Sequence, residues 1–298
     1  MNSHFQHHKP VMHPVDDMDF PRNPSMLPKI YRLTSIRNDQ DERLTLCTAT
    51  LYHERAKMKV SWTTSKPDLR LKVGDLVAPR WLFTASCENG TIRIARLVRM
   101  ERPEPWENLF HTVPCDWVDD RQLIAQAADL IEALPRPCRY LFNAIFWDGQ
   151  RFRRYCTAPS TLSGPHSDEC GTLYRAVDVA FLLEQMAKDH VIADAGLGIL
   201  AGLLHDAGKA DEFRQVASGE WKQSDRGRLL GHKITLIEWI AEARAMWNVL
   251  MTEENYLSLL HSLSCSASAP DWLGSRKSTV LEAALLANMG SSIATQEM

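Results

Sequence analysis

The stretch LAGLLHDAGKADEF, residues 200–213, decides how the second half of this chain is interpreted. It begins as an apolar helix that should be buried, yet it ends on an imidazole, a carboxylate and, three residues further on, an ammonium group. These side chains belong to His205, Asp206 and Lys209. Either they hold a metal ion and a phosphate group, or they form the polar end of a helix without chemistry. The His-Asp dipeptide alone does not distinguish the two.

A second histidine in an apolar helix strengthens the metal hypothesis. It is His232, in the segment RGRLLGHKITLIEWI. Neighbouring residues on a helix point about 100° apart, so His205 and Asp206 can share an ion only if other helices supply ligands. Imidazole and carboxylate suit a divalent first-row metal, namely Mn, Ni, Fe or Zn. The metal would activate water for attack on phosphorus, with Lys209 on the phosphate. A lone histidine in an apolar helix is, however, more often a hydrogen-bonded core residue.

The segments AGLLHDAGKADEF and GRLLGHKITLIEWI resemble the HD-domain superfamily of metal-dependent phosphohydrolases. The resemblance covers residues 150–298. It implies that His205, Asp206 and His232 bind the metal and that Lys209 and Asp206 act in catalysis. A barrel followed by such a domain is similar to the 3′→5′ exoribonucleases that couple an OB-fold to an HD domain. The segments RRYCTAPSTLSGPHS and SAPDWLGSRKS look closest to the HD-type domain of relaxases from conjugative elements.

Three positions depart from the pattern that the resemblance implies. They are Arg175 in place of a first histidine ligand, Cys265 in place of a paired histidine, and Gly290 in place of a closing aspartate. These substitutions predict a weakened or lost metal site, in which the guanidinium of Arg175 pairs with Asp206 where the metal would be. The alternative is a re-liganded site that another histidine, His166 or His261, completes.

The first half of the chain predicts a small barrel. Five short strands are expected at 30–37, 44–53, 57–63, 76–83 and 91–101, separated by turn signals such as SKPD and ENG. The segment KMKVSWT alternates apolar and polar residues, as a half-buried strand does. Five short strands in this length are typical of a Greek-key barrel such as the OB-fold.

The predicted barrel also carries the positive charge of the chain. Between residues 28 and 101 there are 14 lysines and arginines against 8 aspartates and glutamates, although the whole chain has a net charge of −3. Basic grooves with aromatic platforms are how OB-folds hold single strands without reading sequence. We therefore predict that single-stranded nucleic acid binds at Trp62, Arg80, Trp81 and Arg93. The alternative is that Trp62 and Phe83 are barrel core and the basic residues a solvated face.

Length and composition limit the remaining possibilities. A chain of 298 residues, 45% hydrophobic and 24% charged, is typical of a soluble protein of roughly two domains. Its seven cysteines include no Cys-x-x-Cys pair, which argues against a disulfide framework and a thiolate zinc site. No apolar run reaches the roughly 18 residues of a membrane span, and the N-terminus lacks the apolar region of a secretory signal. We expect a cytoplasmic protein without a membrane partner.

The predicted fold class is α+β in two domains, an OB-like five-stranded barrel followed by an all-α HD-type domain. The predicted segments are a disordered tail with several histidines (1–27), the barrel (28–102), a Pro-rich connector with a helix (103–157) and the helical domain (158–298). Helices are expected at 119–134, 172–188, 194–206, 225–247, 253–264 and 278–290. The segment 139–156 is compatible with helices or with a strand pair.

The sequence thus predicts an HD-superfamily phosphohydrolase, a phosphodiesterase or exonuclease-like enzyme acting on single-stranded nucleic acid. Two alternatives stay open. The first is a catalytically degenerate HD protein that serves as a nucleic-acid-binding or scaffold subunit of a mobile-element system. The second is a nucleotide phosphohydrolase whose barrel takes no part in substrate choice. A homo-oligomer is compatible with each of these functions.

Overall fold

The computed structural model describes residues 27–40, 43–82, 87–163, 166–189 and 194–265. Its first part is a β-barrel. The strands are β1 (Tyr31–Gln40), β2 (Thr45–His53), β3 (Ala56–Thr64), β4 (Leu76–Trp81), β5 (Cys87–Glu88) and β6 (Thr91–Arg99). The five long strands lie where five were predicted, while β5 is a short hairpin partner of β6. Phe83 and nearly all of the predicted tail lie outside the described residues.

One parallel pairing closes the barrel. Antiparallel pairs give the order β3-β2-β1-β4-β6, and β3 then pairs in parallel with β6, so that Val60 lies opposite Ile92. Closure pairs the two edges that an open sheet would expose. The predicted α+β class is confirmed at this level: a closed, OB-like five-stranded barrel is followed by a helical region.

Strand β3 shows how the sequence builds this barrel. Met58, Val60 and Trp62 point into the core and are at most 7% exposed, whereas Lys57 and Lys59 point to solvent. This is the alternation predicted from KMKVSWT, because successive side chains of a strand leave opposite faces. The inner face contributes hydrophobic stabilisation of about 25 cal/mol per Å² buried, and the outer face stays available for charge.

The helical region contains helices and one short hairpin among its described residues. They are α1 (Arg121–Ala133), α2 (Arg136–Phe146), α3 (Gly149–Thr157), α4 (Gly171–Lys188), α5 (Ala195–Leu204), α6 (Lys209–Glu212), β7 (Phe213–Gln215), β8 (Trp221–Gln223), α7 (Asp225–Leu229), α8 (Gly231–Trp247) and α9 (Glu253–Cys265). Asp120 caps α1 by accepting hydrogen bonds from the backbone of Gln122 and Leu123. The ambiguous segment 139–156 is helical, in α2 and α3.

Two predictions for this region are wrong. The single helix expected at 225–247 is two helices, because Gly231, the first residue of α8, adopts a φ of +71°. The chain after residue 172 is also not wholly helical, since β7 and β8 pair as a hairpin whose turn contains Gly219 at a φ of +87°. Both glycines hold backbone conformations that other residues rarely adopt. The helix expected at 278–290 lies outside the described residues.

One hydrophobic core runs through the helical region and reaches the barrel. It starts at Leu109 in the predicted connector, extends to Leu263 in α9, and includes Ile30 and Leu76 from the barrel. The connector is therefore packed into the helical core rather than spanning two separate bodies. In the described part of the chain, no helix has the combination of length and apolarity that crossing a bilayer requires.

Candidate functional site

The turn after α5 brings together the residues predicted to bind metal. His205 follows α5 directly, and a backbone hydrogen bond from Lys209 to the carbonyl oxygen of Asp206 tightens the chain. Gly208 lets this turn lie against α8, because a Cβ there would stand 2.0 Å from the carbonyl oxygen of His232. The glycine of HDAGK is thus what places His232 beside His205 and Asp206.

The Asp206 carboxylate is the centre of the cluster and is 4% exposed. Its Oδ2 accepts a hydrogen bond from Nζ of Lys209 at 2.8 Å and lies 3.2 Å from Nε of Arg175. The Ser160 hydroxyl donates to the same oxygen at 3.3 Å. Arg175 and Lys209 are themselves buried. The prediction that Arg175 lies beside Asp206 is confirmed.

Two histidines direct one ring nitrogen each at this carboxylate. Nε2 of His205 lies 3.6 Å from Oδ2 of Asp206, and Nε2 of His232 lies 3.6 Å from Oδ1. Their Nδ1 atoms are anchored, that of His205 at 2.7 Å from the Gly202 carbonyl oxygen and that of His232 at 2.9 Å from a Glu212 carboxylate oxygen. Because a carbonyl oxygen only accepts, Nδ1 of His205 carries a proton. Such anchoring is also how proteins orient histidines toward metals.

The charges around Asp206 favour its ionised form. Burial opposes ionisation, but the neighbouring cations, Lys209 first among them, hold the pKa of this carboxyl well below its usual range. The pKa of His166 is also lowered, first by burial and then by the positive charge of Arg175. The other histidine considered for the site, His261, is part of α9 and half-buried.

The divalent metal that the resemblance implies does not fit this arrangement. A metal on Asp206 would lie beside the positive charges of Lys209 and Arg175, both of which contact Oδ2 of this carboxylate. Within the ranges that the structure covers, no group of three or more His, Cys, Asp and Glu side chains is placed to hold a metal ion. Of the other two departures, Cys265 is the last residue of α9, and Gly290 lies outside the described residues.

The predicted nucleic-acid-binding residues divide between the core and the surface of the barrel. Trp62 is 6% exposed and packs in the barrel core, so its ring is not available for stacking. Trp81 is half-buried and packs against that core from β4. Arg80 and Arg93 are exposed on the outer face.

Three further cations on the outer face of these strands were missed. Arg96 of β6 pairs in register with Arg80 of β4, and Arg93 pairs with a residue of β3 two positions after Lys59. Lys57 follows on the same face. The alternation of KMKVSWT was the signal that could have identified both lysines. We call Lys57, Lys59, Arg80, Arg93 and Arg96 the basic band; none of them forms an ion pair within the described ranges.

A groove of about 740 Å³ borders the basic band. Its walls come from the end of β3, the loop at 66–71, β6 and the first residues of the connector, and Arg96 belongs to both features. Its charge is partly compensated, since Arg70 pairs with Asp68 at 2.9 Å and with Glu101 at 2.7 Å. The uncompensated charge therefore lies on the band more than in the groove.

Comparisons of the chain with protein-family models, curated proteins and solved structures find no match. Membership of the HD superfamily therefore stays a prediction from the sequence. Among the described residues, the basic band and the cluster around Asp206 are the features that bear most directly on function.

Proposed function

We propose that this chain binds single-stranded nucleic acid through the basic band, and that its helical half is an HD-related scaffold without a catalytic metal. The observation that carries the proposal is a set of five cationic side chains on adjoining strands with no carboxylate partner in the described ranges. Like charges on adjoining strands repel each other, and a bound anion relieves that repulsion. A nucleic-acid backbone supplies such anions in a row.

Trp81 favours a single strand over a duplex as the ligand. It follows Arg80 in β4 and is half-buried at the end of the band. Bases of a single strand are free to stack on an aromatic ring, whereas bases of a duplex are already stacked, and each stacking contact contributes about 1–3 kcal/mol. Contacts to phosphates carry no sequence information, so we expect weak sequence preference.

A charge reversal within the band tests this proposal in the full chain. Arg80→Glu/Arg96→Glu should weaken binding of a fluorescein-labelled single-stranded oligonucleotide, measured by anisotropy. It should also reduce the slope of log K against log salt by about 1.4, since each lost phosphate contact contributes roughly 0.7 to that slope for single strands.

Arg37→Glu is the matched control for the charge reversal. Arg37 is exposed on β1 of the same barrel but pairs with Asp39 at 2.7 Å. Its reversal changes the charge of the barrel without touching the band, so binding should change little. A loss in the control about half as large as that in the double variant, in proportion to the change in charge, would mean that only net charge matters. Absence of binding by the wild type at low salt would refute the proposal.

A metal-dependent phosphodiesterase is the second candidate function. One observation favours it: the Nε2 atoms of His205 and His232 both point at Asp206 with their Nδ1 atoms anchored. This candidate requires a stoichiometric transition metal in the purified wild-type protein that is lost in His205→Ala/Asp206→Ala. The scaffold proposal predicts no such metal, and elemental analysis of the protein without a purification tag distinguishes the two.

A further inference from the structure

We propose that Arg175 and Lys209 occupy the place of a metal ion between His205, Asp206 and His232, where they act as a built-in cationic clasp between helices. The clasp consists of the side chains of Arg175, Lys209, Asp206 and Ser160. This inference concerns the helical half alone and goes beyond nucleic-acid binding by the barrel. It rests on the proposed absence of a catalytic metal from the helical half, but not on nucleic-acid binding by the basic band, and those two proposals can fail separately.

The clasp follows from the cost of burying a charge. A carboxylate that is 4% exposed needs a positive partner, because desolvation of an isolated ion costs several kcal/mol. Asp206 has two, Lys209 Nζ at 2.8 Å from the turn after α5 and Arg175 Nε at 3.2 Å from α4. Ser160 bridges Asp206 and Lys209, since its hydroxyl donates to Asp206 at 3.3 Å and accepts from Lys209 at 3.2 Å. Three chain segments are thereby fixed on one oxygen.

The imidazoles around Asp206 are the reason for inferring that the clasp occupies the place of a metal ion. His205 and His232 present Nε2 to Asp206, and their Nδ1 atoms are tied to Gly202 and Glu212. A neutral imidazole anchored in this way offers a lone pair, which is what a first-row divalent metal binds. The two imidazoles thus face Asp206 beside the protein's own cations, Arg175 and Lys209.

One substitution should turn the clasp into a metal site. In Arg175→His the imidazole Nε2 lies about as far along the side chain as Nε of arginine, so it can approach Asp206. The change removes one positive charge and adds a third imidazole donor, which suits zinc or cobalt. Lys209 remains beside Oδ2, and the ion would use Oδ1.

The experiment titrates the full-length chain with Zn²⁺ and with Co²⁺. Wild type should show no thermal shift with either ion. Arg175→His should bind about one ion per chain, gain thermal stability with Zn²⁺, and show the visible absorption bands of protein-bound Co²⁺. Arg154→His is the control, because Arg154 also pairs with a carboxylate, that of Asp211 at 2.7 Å, but its side chain is 41% exposed and forms no ion pair with Asp206. It should bind no more metal than wild type.

Two outcomes overturn the clasp. One is a tightly bound metal in the wild type; the other is a folded Arg175→His protein that binds no more metal than the control. If Arg175→His does not fold, a cycle of Asp206→Asn and Arg175→Met decides by denaturant midpoints. If Asp206 and Arg175 interact, the double variant loses less free energy of unfolding than the two single variants lose together. Additive losses of free energy would reject the clasp. Nucleic-acid affinity of Arg175→His should equal that of wild type, which separates this test from that of the band.

Discussion

Arg32 in β1 shows at the scale of one residue how this protein buries a charge without a carboxylate. It is fully buried, and it donates to the Gly74 carbonyl oxygen at 2.9 Å and to the Thr112 hydroxyl at 2.8 Å. The rings of Trp117 and Phe152 lie 5.4 and 5.2 Å from its guanidinium. Burial lowers the pKa of Arg32 to about 10, which leaves it charged at neutral pH. A planar, weakly hydrated cation suits such a site.

Arg32→Lys should therefore be strongly destabilising although it keeps the charge. An ammonium cannot reproduce the fork that reaches Gly74 and Thr112, and it is more costly to desolvate than a guanidinium. We expect a loss of about 2–4 kcal/mol in the free energy of unfolding, measured by urea denaturation. Arg32→Met, which removes the buried charge, should cost less than Arg32→Lys. The reverse order would show that charge alone, not shape, stabilises the site.

His53, at the end of β2, makes stability depend on pH. It is buried, its ring centre is 5.7 Å from that of His111, and burial, aided by His111 and Arg55, lowers its pKa from 6.5 to about 4. Between these pH values the unfolded chain binds more protons, so stability falls as pH drops from 6.5 to 4, by up to about 3 kcal/mol. His53→Gln should flatten this slope in urea denaturations at several pH values. An unchanged slope would assign the effect to other groups.

At the scale of elements, the two tryptophans of the barrel have different roles because of where their strands place them. Trp62 points inward from β3 and belongs to the barrel core, whereas Trp81 ends β4 and only partly packs on that core. Sequence spacing alone could not separate them, since both lie among basic residues. Register and burial in the closed barrel do separate them.

The two alanine variants should therefore lose different properties. Trp62→Ala should cost about 3–5 kcal/mol of folding free energy because it leaves a cavity in the core. Trp81→Ala should keep the barrel folded and lose about 1–3 kcal/mol of affinity for a single-stranded oligonucleotide. Circular dichroism in urea and anisotropy titrations check the two effects. Unfolding of Trp81→Ala would mark that ring as core and remove it from the interface.

At the scale of the whole molecule, the barrel and the helical region are joined by close backbone contact. A Cβ on Gly149, the first residue of α3, would lie 1.9 Å from the carbonyl oxygen of Gly74 in the barrel. Trp147 donates from Nε1 to the Met100 carbonyl oxygen at 2.7 Å, and Gln150 donates to the Val73 carbonyl oxygen at 2.9 Å. Shared core residues reinforce this contact. The intact chain is therefore the unit in which binding should be studied.

Gly149→Ala tests the backbone contact between the barrel and the helical region. The added methyl group forces the two halves apart at a backbone contact that cannot yield, so we expect a lower thermal midpoint or a second transition. Gly90→Ala is a useful comparison, since a Cβ there meets nothing within 4 Å, although its φ of +70° carries a local cost. A Gly149→Ala protein as stable as wild type would show that the junction adapts freely.

The sequence predicted the local features of this molecule better than its tertiary ones. Strands and the α1 cap follow from alternation and from a capping carboxylate, which are short-range signals. The glycine break at Gly231 was missed because an apolar period continued across it. Arg175 was predicted beside Asp206 from the resemblance to the HD superfamily, whereas Ser160, which also contacts Asp206, was missed. His232 is anchored by Glu212, which directly precedes the β7–β8 hairpin. No periodicity in the sequence predicts this hairpin or the contact beside it.

One incubation, resolved on two gels, tests whether this protein binds single strands without cutting them. Full-length protein is mixed with an end-labelled single-stranded oligonucleotide and Mn²⁺ at low salt, and the mixture is resolved on native and on denaturing gels. Binding without cleavage gives a retarded complex on the native gel and an oligonucleotide of unchanged length on the denaturing gel. Shortened products that disappear in His205→Ala/Asp206→Ala would contradict it.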